Sequence, residues 1–536
     1  MHRSAFIGLC ILLPAATSYS DSYRLYDSAV SPNVLSDFQL TPDGTRAVLN
    51  SSIGLFSVPV SSGALTKLNL QLGSVVGFQI TPNSQRIVYL AFDGLFATSI
   101  AGGPAVKLNG PLSSTSGIRQ TDYGITPNSQ HVIYKANTSQ NSRALYSTSL
   151  GGGTPIVLNM PPDGFTVGNS APFPPFYISP DSNTVLYDVR PNITPSELPY
   201  AVLSSPVTGG PSTTLSEPGL DHAYNGYRIT PNGQSAIYGV FVSNTHGELY
   251  KAPLSGGPST LLTSPSDSGS VFFADYLLSP DSSTLIYRGR IGQSEPDELL
   301  RVSLNGGDPV RLNDPTVGAV KVHDFELTHD GQTVVFVANP NDGNHPAQLF
   351  SVPITGGVNI PLTPRRVLSE HKVSPDGKYV VYRSNHANTS DYELFSVPVA
   401  GGETTKLSIP MIANGLVLNF DFTPDGKKVV YSATPNDLRV AELFQVSIEG
   451  GASIKLNDPL TAGSTIVRSS PLKVTPDGRR VLFQFFNGLN GRNELHAAVI
   501  VPEPSGAAAA LFALVALSSI TSQQRWRRKP FRPKST

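Results

Sequence analysis

Apolar and polar residues alternate along this chain in short runs, and the runs return at a fixed spacing. A four-residue turn begins at Thr41, Thr81, Thr126, Ser179, Thr230, Ser279, Thr328, Ser374, Thr423 and Thr475. It reads Thr-Pro-Asp-Gly at Thr41, Ser-Pro-Asp-Ser at Ser179 and Thr-Pro-Asn-Gly at Thr230, and His329 replaces the proline after Thr328. Ser or Thr at the first position bonds the backbone, Pro at the second presets φ, and Gly suits the fourth. One residue before the turn stands an apolar side chain in every copy, such as Leu40, Ile80 or Val474. Three residues before it stand Phe38, Phe78, Tyr123, Phe176, Tyr227, Tyr276, Phe325 and Phe420, with His371 and Leu472 as the exceptions. Positions two apart share one face of a strand, so this spacing predicts a strand with a buried face leading into each turn.

After each turn comes a second β-rich run, such as Lys378-Tyr379-Val380-Val381-Tyr382. A third run opens at Leu55, Leu95, Leu145, Leu249, Leu349, Leu394 and Leu443, and a Gly-Gly pair follows, from Gly102-Gly103 to Gly450-Gly451. Each unit therefore reads as four antiparallel strands, repeated about every 48 residues, which is the pattern of an all-β propeller. The repeats resemble the WD40-like PD40 units of TolB and related periplasmic propellers, which turn around a similar Ser-Pro-Asp-Gly. That resemblance covers nearly all of residues 21–500 and speaks for the fold, since propellers host unrelated activities. Sialidase-type Asp boxes are set aside, because here the glycine directly follows the aspartate.

Ten copies predict about ten four-stranded blades, in one ring or as two smaller propellers. The last unit has strands near Leu472, Val481 and Leu495 but runs out before a fourth. Ser22 to Ala29, with Tyr23, Leu25 and Tyr26, is left over at the other end. Pairing this segment with Glu494 to Ile500 would complete the last blade and leave no open edge.

The two ends carry different patterns. Arg3, the apolar run from Ala5 to Ala16 and the small residues Ser18 and Ser20 read as a secretory signal peptide over residues 1–20. Residues 501–536 hold Pro502-Glu503-Pro504, an apolar stretch (506–524) long enough for a transmembrane helix, then Arg525, Arg527 and Arg528. These three parts, in that order, resemble the PEP-CTERM sorting signal of exported bacterial proteins. The resemblance implies transient handling by an exosortase-type enzyme and delivery to the cell envelope or extracellular matrix, with membrane anchorage through the helix before processing.

Composition narrows the chemistry. Charged residues are 14% of the chain, against ~25% in an average soluble protein. Residues 1–20 hold one Lys or Arg and 505–536 hold six, with no acid in either. Without them the chain has 31 basic and 39 acidic residues, a net charge of -8. Nucleic acid is thus a poor partner. The single cysteine, Cys10, lies in the signal segment, so a processed chain has no disulfide and no thiolate chemistry. The ten histidines show no metal-ligand spacing, and no Gly-x-Ser-x-Gly elbow exists. No cofactor is expected. One constellation stands out: Asp37, Asp122, Asp275, Asp324 and Glu370 each lie four residues before the turn. They either form an acidic ring at a channel mouth, able to hold a cation or a basic partner, or accept backbone N–H groups locally. The sequence as a whole favours a non-enzymatic binding propeller, with protein or polysaccharide as ligand. The alternative is a polysaccharide lyase or hydrolase with its site in the channel.

Overall fold

The computed structural model describes residues 22–26, 35–69, 75–110, 117–138, 142–161, 165–168, 174–191, 201–216, 226–243, 246–263, 271–289, 298–313, 320–340, 347–364, 370–385 and 392–500. The signal segment and residues 501–536, with Pro502, Glu503, Pro504, Arg525, Arg527 and Arg528, lie outside the described residues. Among the described residues every regular element is a strand.

The strands assemble as ten blades, numbered here by their turns from Thr41 (blade 1) to Thr475 (blade 10). Blade 1 is typical: Leu35–Leu40, Arg46–Ser51, Gly54–Pro59 and Thr66–Lys67 pair in that order, each antiparallel to the last. Blades 3 and 4 merge into one nine-stranded sheet, because Phe165–Val167 pairs with the second strand of blade 4 and touches Arg143 of blade 3. Antiparallel order puts the Thr-Pro-Asp and Gly-Gly turns at one end of the strands, here the turn face. The hairpins between second and third strands lie at the opposite end, the hairpin face.

Both faces of every sheet are buried, which is why the second strands read as nearly unbroken apolar runs. In blade 8, Val380 and Tyr382 pack toward blade 7 while Val381 packs toward blade 9. Ten apolar clusters result, and each joins two successive blades. The tenth joins Leu482, Leu495 and Ala497 of blade 10 to Phe38, Ala47 and Leu49 of blade 1, so the ring is single and closed. Cross-strand aromatic pairs such as Tyr134–Tyr146, with centroids 5.4 Å apart, fill the sheet centres.

Closure uses the surplus segment at the N-terminal end. Ser22–Arg24 is the fourth strand of blade 10, with Ser22 opposite Ala498, Tyr23 opposite Ala497 and Arg24 opposite His496. Residues 27–29 of the expected pairing segment lie outside the described residues.

The turns themselves interlock. The fourth residue of all ten has φ between 58° and 71°, the left-handed region where glycine carries no penalty. Four blades place serine there instead. The hydroxyls of Ser84, Ser129, Ser182 and Ser282 accept N–H groups from Asp43, Asn83, Asn128 and Asn232 of the preceding blade, at 2.9–3.1 Å. At Gly44, Gly331 and Gly426 a neighbour takes the space: a Cβ on Gly44 would fall 2.6 Å from Pro476 Cδ. Strained serines are thus compensated by a bond across the seam, and the turns form a belt around one face.

Candidate functional site

The first strand of each blade faces the ring centre and has no strand beyond it, so its outward N–H and C=O groups need other partners. Side chains two residues before the turn supply them across the seams. Gln39 donates to Phe78 O at 3.2 Å, Gln79 to Tyr123 O at 3.0 Å and Lys372 to Phe420 O at 2.9 Å. Glu326 accepts the Val373 N–H at 3.0 Å. The aromatic position three before the turn reaches the other way: the hydroxyls of Tyr227 and Tyr276 donate to Pro175 O and Gly226 O of the preceding blade, at 3.1 and 2.8 Å.

The five acids expected near a channel mouth have several fates. Asp37 and Asp324 are exposed, and each accepts the N–H of its own next residue, at 2.8 and 2.9 Å. Both sit where the first strand bulges. Asp122 is buried, accepts the Arg119 N–H at 3.0 Å and is ion-paired with Arg143. Glu370 is ion-paired with Arg383. Asp275 lies on the first strand of blade 6, and its side chain lies outside the described residues.

A second set of polar residues, nine positions after the start of the turn, has no repeat signal because its residue type varies. Asn50, Lys135, Arg288 and Arg383 stand there, and each reaches a carbonyl near the start of the next blade's first strand: Val75, Gly168, Val322 and Val417. Lys135 is the deepest. Its ammonium lies 3.3 Å from Gly168 O, between the Asp122–Arg143 pair of its own blade and the Asp188–Arg190 pair of the next. Asp188 is fully buried, and its Oδ1, 2.9 Å from the Tyr227 hydroxyl, shares that group's one proton with Pro175 O. Burial and the Arg143 charge pull the Lys135 amine down to about 8, against the opposing pull of Asp122 and Asp188. The group shares its bonding pattern with Arg288 and Arg383, so it acts first as a seam cation, and it is the most strongly perturbed amine among the described residues.

The exception at the aromatic position, His371, marks a second unusual seam. It is nine-tenths buried between blades 7 and 8, and neither ring nitrogen has a hydrogen-bond partner. Burial lowers its pKa, opposed by the Asp324 charge. Burial likewise raises that of Glu326, two residues along from Asp324. Among the described residues no three His, Cys, Asp or Glu side chains gather as a metal site.

No protein-family model matches this sequence, and no curated protein matches it. Solved structures do. The crystal structure of a eukaryotic initiation factor is 13% identical and covers 78% of this chain and 100% of its own, with a TM-score of 0.49. A protein assigned as TolB from Agrobacterium tumefaciens is 17% identical over 55% of this chain and 95% of its own, at 0.27. An oligogalacturonate lyase in complex with manganese is 15% identical over 70% and 97%, at 0.34. At these scores the likenesses carry no argument about function, and the fold rests on the strand ladders and seams described above.

Proposed function

We propose that this chain is an exported, non-enzymatic binding propeller, sorted through Pro502-Glu503-Pro504 by an exosortase-type enzyme. Its hairpin face would be offered to a protein or polysaccharide ligand at the envelope or in the extracellular matrix. The observation that carries the reading is where the two ends meet the ring. Ser22 pairs with Ala498, and the Ile500 N–H bonds Arg479 O at 2.8 Å, directly after the Thr475 turn. Both ends therefore meet the ring at the turn face. From Ile500 to the apolar stretch at residue 506 an extended chain reaches ~20 Å. A tail held in a membrane would keep the turn face toward the bilayer and the hairpin face outward.

On that outward face the hairpin tips of four consecutive blades (9, 10, 1 and 2) carry Leu438, Leu489, Ile53 and Phe92. Phe92 is 92% and Leu489 79% exposed, an unusual arrangement unless something covers it. The test compares native protein with Phe92→Ser/Leu489→Ser on a glycan array and in pull-downs from the native envelope. Loss of a captured ligand by tenfold or more, at an unchanged melting temperature, is the expected result. Equal capture would remove the hairpin face from the reading, and turnover of a polysaccharide by the native protein would overturn its non-enzymatic part. Mass spectrometry of native-host protein should find neither Cys10 nor Arg525.

A further inference from the structure

The ten turns share a geometry but not a charge. In every blade the fifth residue of the turn is exposed, and its N–H donates to the turn's own Asp or Asn at 3.0–3.2 Å. That residue is Lys378, Lys427 and Arg479 in blades 8, 9 and 10, and a neutral Thr, Gln, Asn or Ser in the other seven. The sixth residue adds Lys428, Arg480, Arg46 and Arg86 in blades 9, 10, 1 and 2, whereas blades 3 to 7 have no Lys or Arg at either position. The acids of this face do not follow the same division. In these turns and the turns before the fourth strands, blades 8, 9, 10, 1 and 2 set Asp43, Asp376, Asp425, Asp477, Glu403 and Glu449 against seven cations. Blades 3 to 7 carry Asp181, Asp281, Asp308 and Asp330 against none. The turn face thus has a basic half and an acidic half.

Blade 10 is the middle of the basic half, and it is where the chain leaves the ring, since the Ile500 N–H bonds Arg479 O at 2.8 Å. We propose that the basic half rests on the headgroups of acidic phospholipids, with blades 3 to 7 turned away from the surface. The inference rests on the reading above that the apolar tail is held in a membrane. An acidic leaflet attracts Lys and Arg within a Debye length, about 8 Å at physiological salt, and repels carboxylates over the same distance. The extended tether of ~20 Å lets the turn face come that close. The Lys378 side chain is 75% exposed and 3.8 Å from Asp376, a loose pair that leaves its charge facing solvent. Lipid is favoured over an acidic protein as the occupant because the tail brings the bilayer to this face, and does so at the centre of the basic half.

The test reconstitutes the full chain into vesicles of phosphatidylcholine alone and of phosphatidylcholine with about 30% phosphatidylglycerol, so that only the lipid charge differs. Lysines are acetylated with an uncharged active ester, and each site is followed by mass spectrometry. The control is Lys321, exposed at the hairpin end of the first strand of blade 7. Acidic lipid should slow labelling of Lys378 and Lys427 by about threefold or more and leave Lys321 unchanged, and salt at ~0.5 M should abolish the difference. Equal labelling of Lys378 and Lys427 in the two vesicles would overturn the inference. So would equal slowing at Lys321, because the ring would then not rest on its basic half. Flotation checks the underlying reading separately. A chain that does not float with phosphatidylcholine alone removes the membrane-held tail, while its labelling with acidic vesicles still decides the inference.

Discussion

The seam between blades 10 and 1 and the seam between blades 7 and 8 bury similar apolar clusters, yet they are held differently. Blades 7 and 8 follow each other along the chain, and one main-chain connection already limits how far they separate. Blades 10 and 1 are also joined by main chain, but the segment that begins this connection, Ser22–Tyr26, is held to the rest of blade 10 only by non-covalent contacts, and it makes bonds to three blades. Ser22 bonds Asp458 of blade 9 at 3.1 Å. Tyr23 donates to Val60 O of blade 1 at 2.8 Å and accepts from Arg480 of blade 10 at 3.1 Å. Arg24 pairs with buried Glu494 at 3.2 Å, and the Gly63 N–H reaches Leu25 O. By contrast, the seam of blades 7 and 8 carries His371 with two unpartnered nitrogens. A blade closed by strands from opposite ends of the chain is thus fastened by specific polar bonds, whereas the seam of blades 7 and 8 carries a polar defect.

Breaking the first seam should have the largest effect. Deleting Asp21–Tyr26 removes the fully buried Leu25 and nearly buried Tyr26, at a cost on the order of 4 kcal/mol, and exposes Arg492–Val499 as a free edge. Differential scanning calorimetry should report a lower melting temperature, and light scattering should report self-association. A truncated chain with native melting and monomeric scattering would mean that closure contributes nothing.

The next effect is at the seam of blades 3 and 4. Lys135 has a folded pKa of about 8 against an ordinary 10.5, so the folded protein holds fewer protons between those values. Its contribution to stability therefore rises with pH across that window, by on the order of 3 kcal/mol. Lys135→Met should flatten this rise, measured as the difference from native in urea unfolding at pH 7, 8.5 and 10. Parallel curves for the two proteins would show that the amine is not perturbed.

The smallest change sharpens the comparison at the seam of blades 7 and 8. The folded His371 pKa is lowered by burial, so its penalty appears as pH falls below the ordinary 6.5. His371→Tyr matches the aromatic of the other blades, and its hydroxyl can reach the carbonyl of Asp324 as Tyr276 reaches Gly226. It should stabilise by about 1 kcal/mol at pH 7.5 and by more at pH 5.5, seen in melting temperature. An equal gain at both values would remove the titration from the account.

Much of the architecture was legible in the residues. The repeated turn, the aromatic three places before it and the Gly-Gly pair are local features, and local features follow from φ preference and strand period. The candidate-site chemistry was less legible. Asp37, Asp122, Asp324 and Glu370 occupy one repeat position, yet two bond their own backbone and two pair with arginines elsewhere in their blades. Lys135 and Asn50 occupy another shared position with no shared residue type, so no repeat marks them.

What the sequence by itself determined is the blade: strands of period two, a turn whose fourth residue needs positive φ, and a leftover N-terminal strand matching a missing one. Each of these is read from residues within a few positions of one another, or from a count of strands. What only the tertiary structure decided is the partner of every side chain that crosses a seam. Gln39 meets Phe78, Lys135 meets Gly168 and Tyr23 meets Val60 across 39, 33 and 37 residues. Those meetings depend on the angle between neighbouring blades and on ring closure, and neither is encoded in any short stretch of chain.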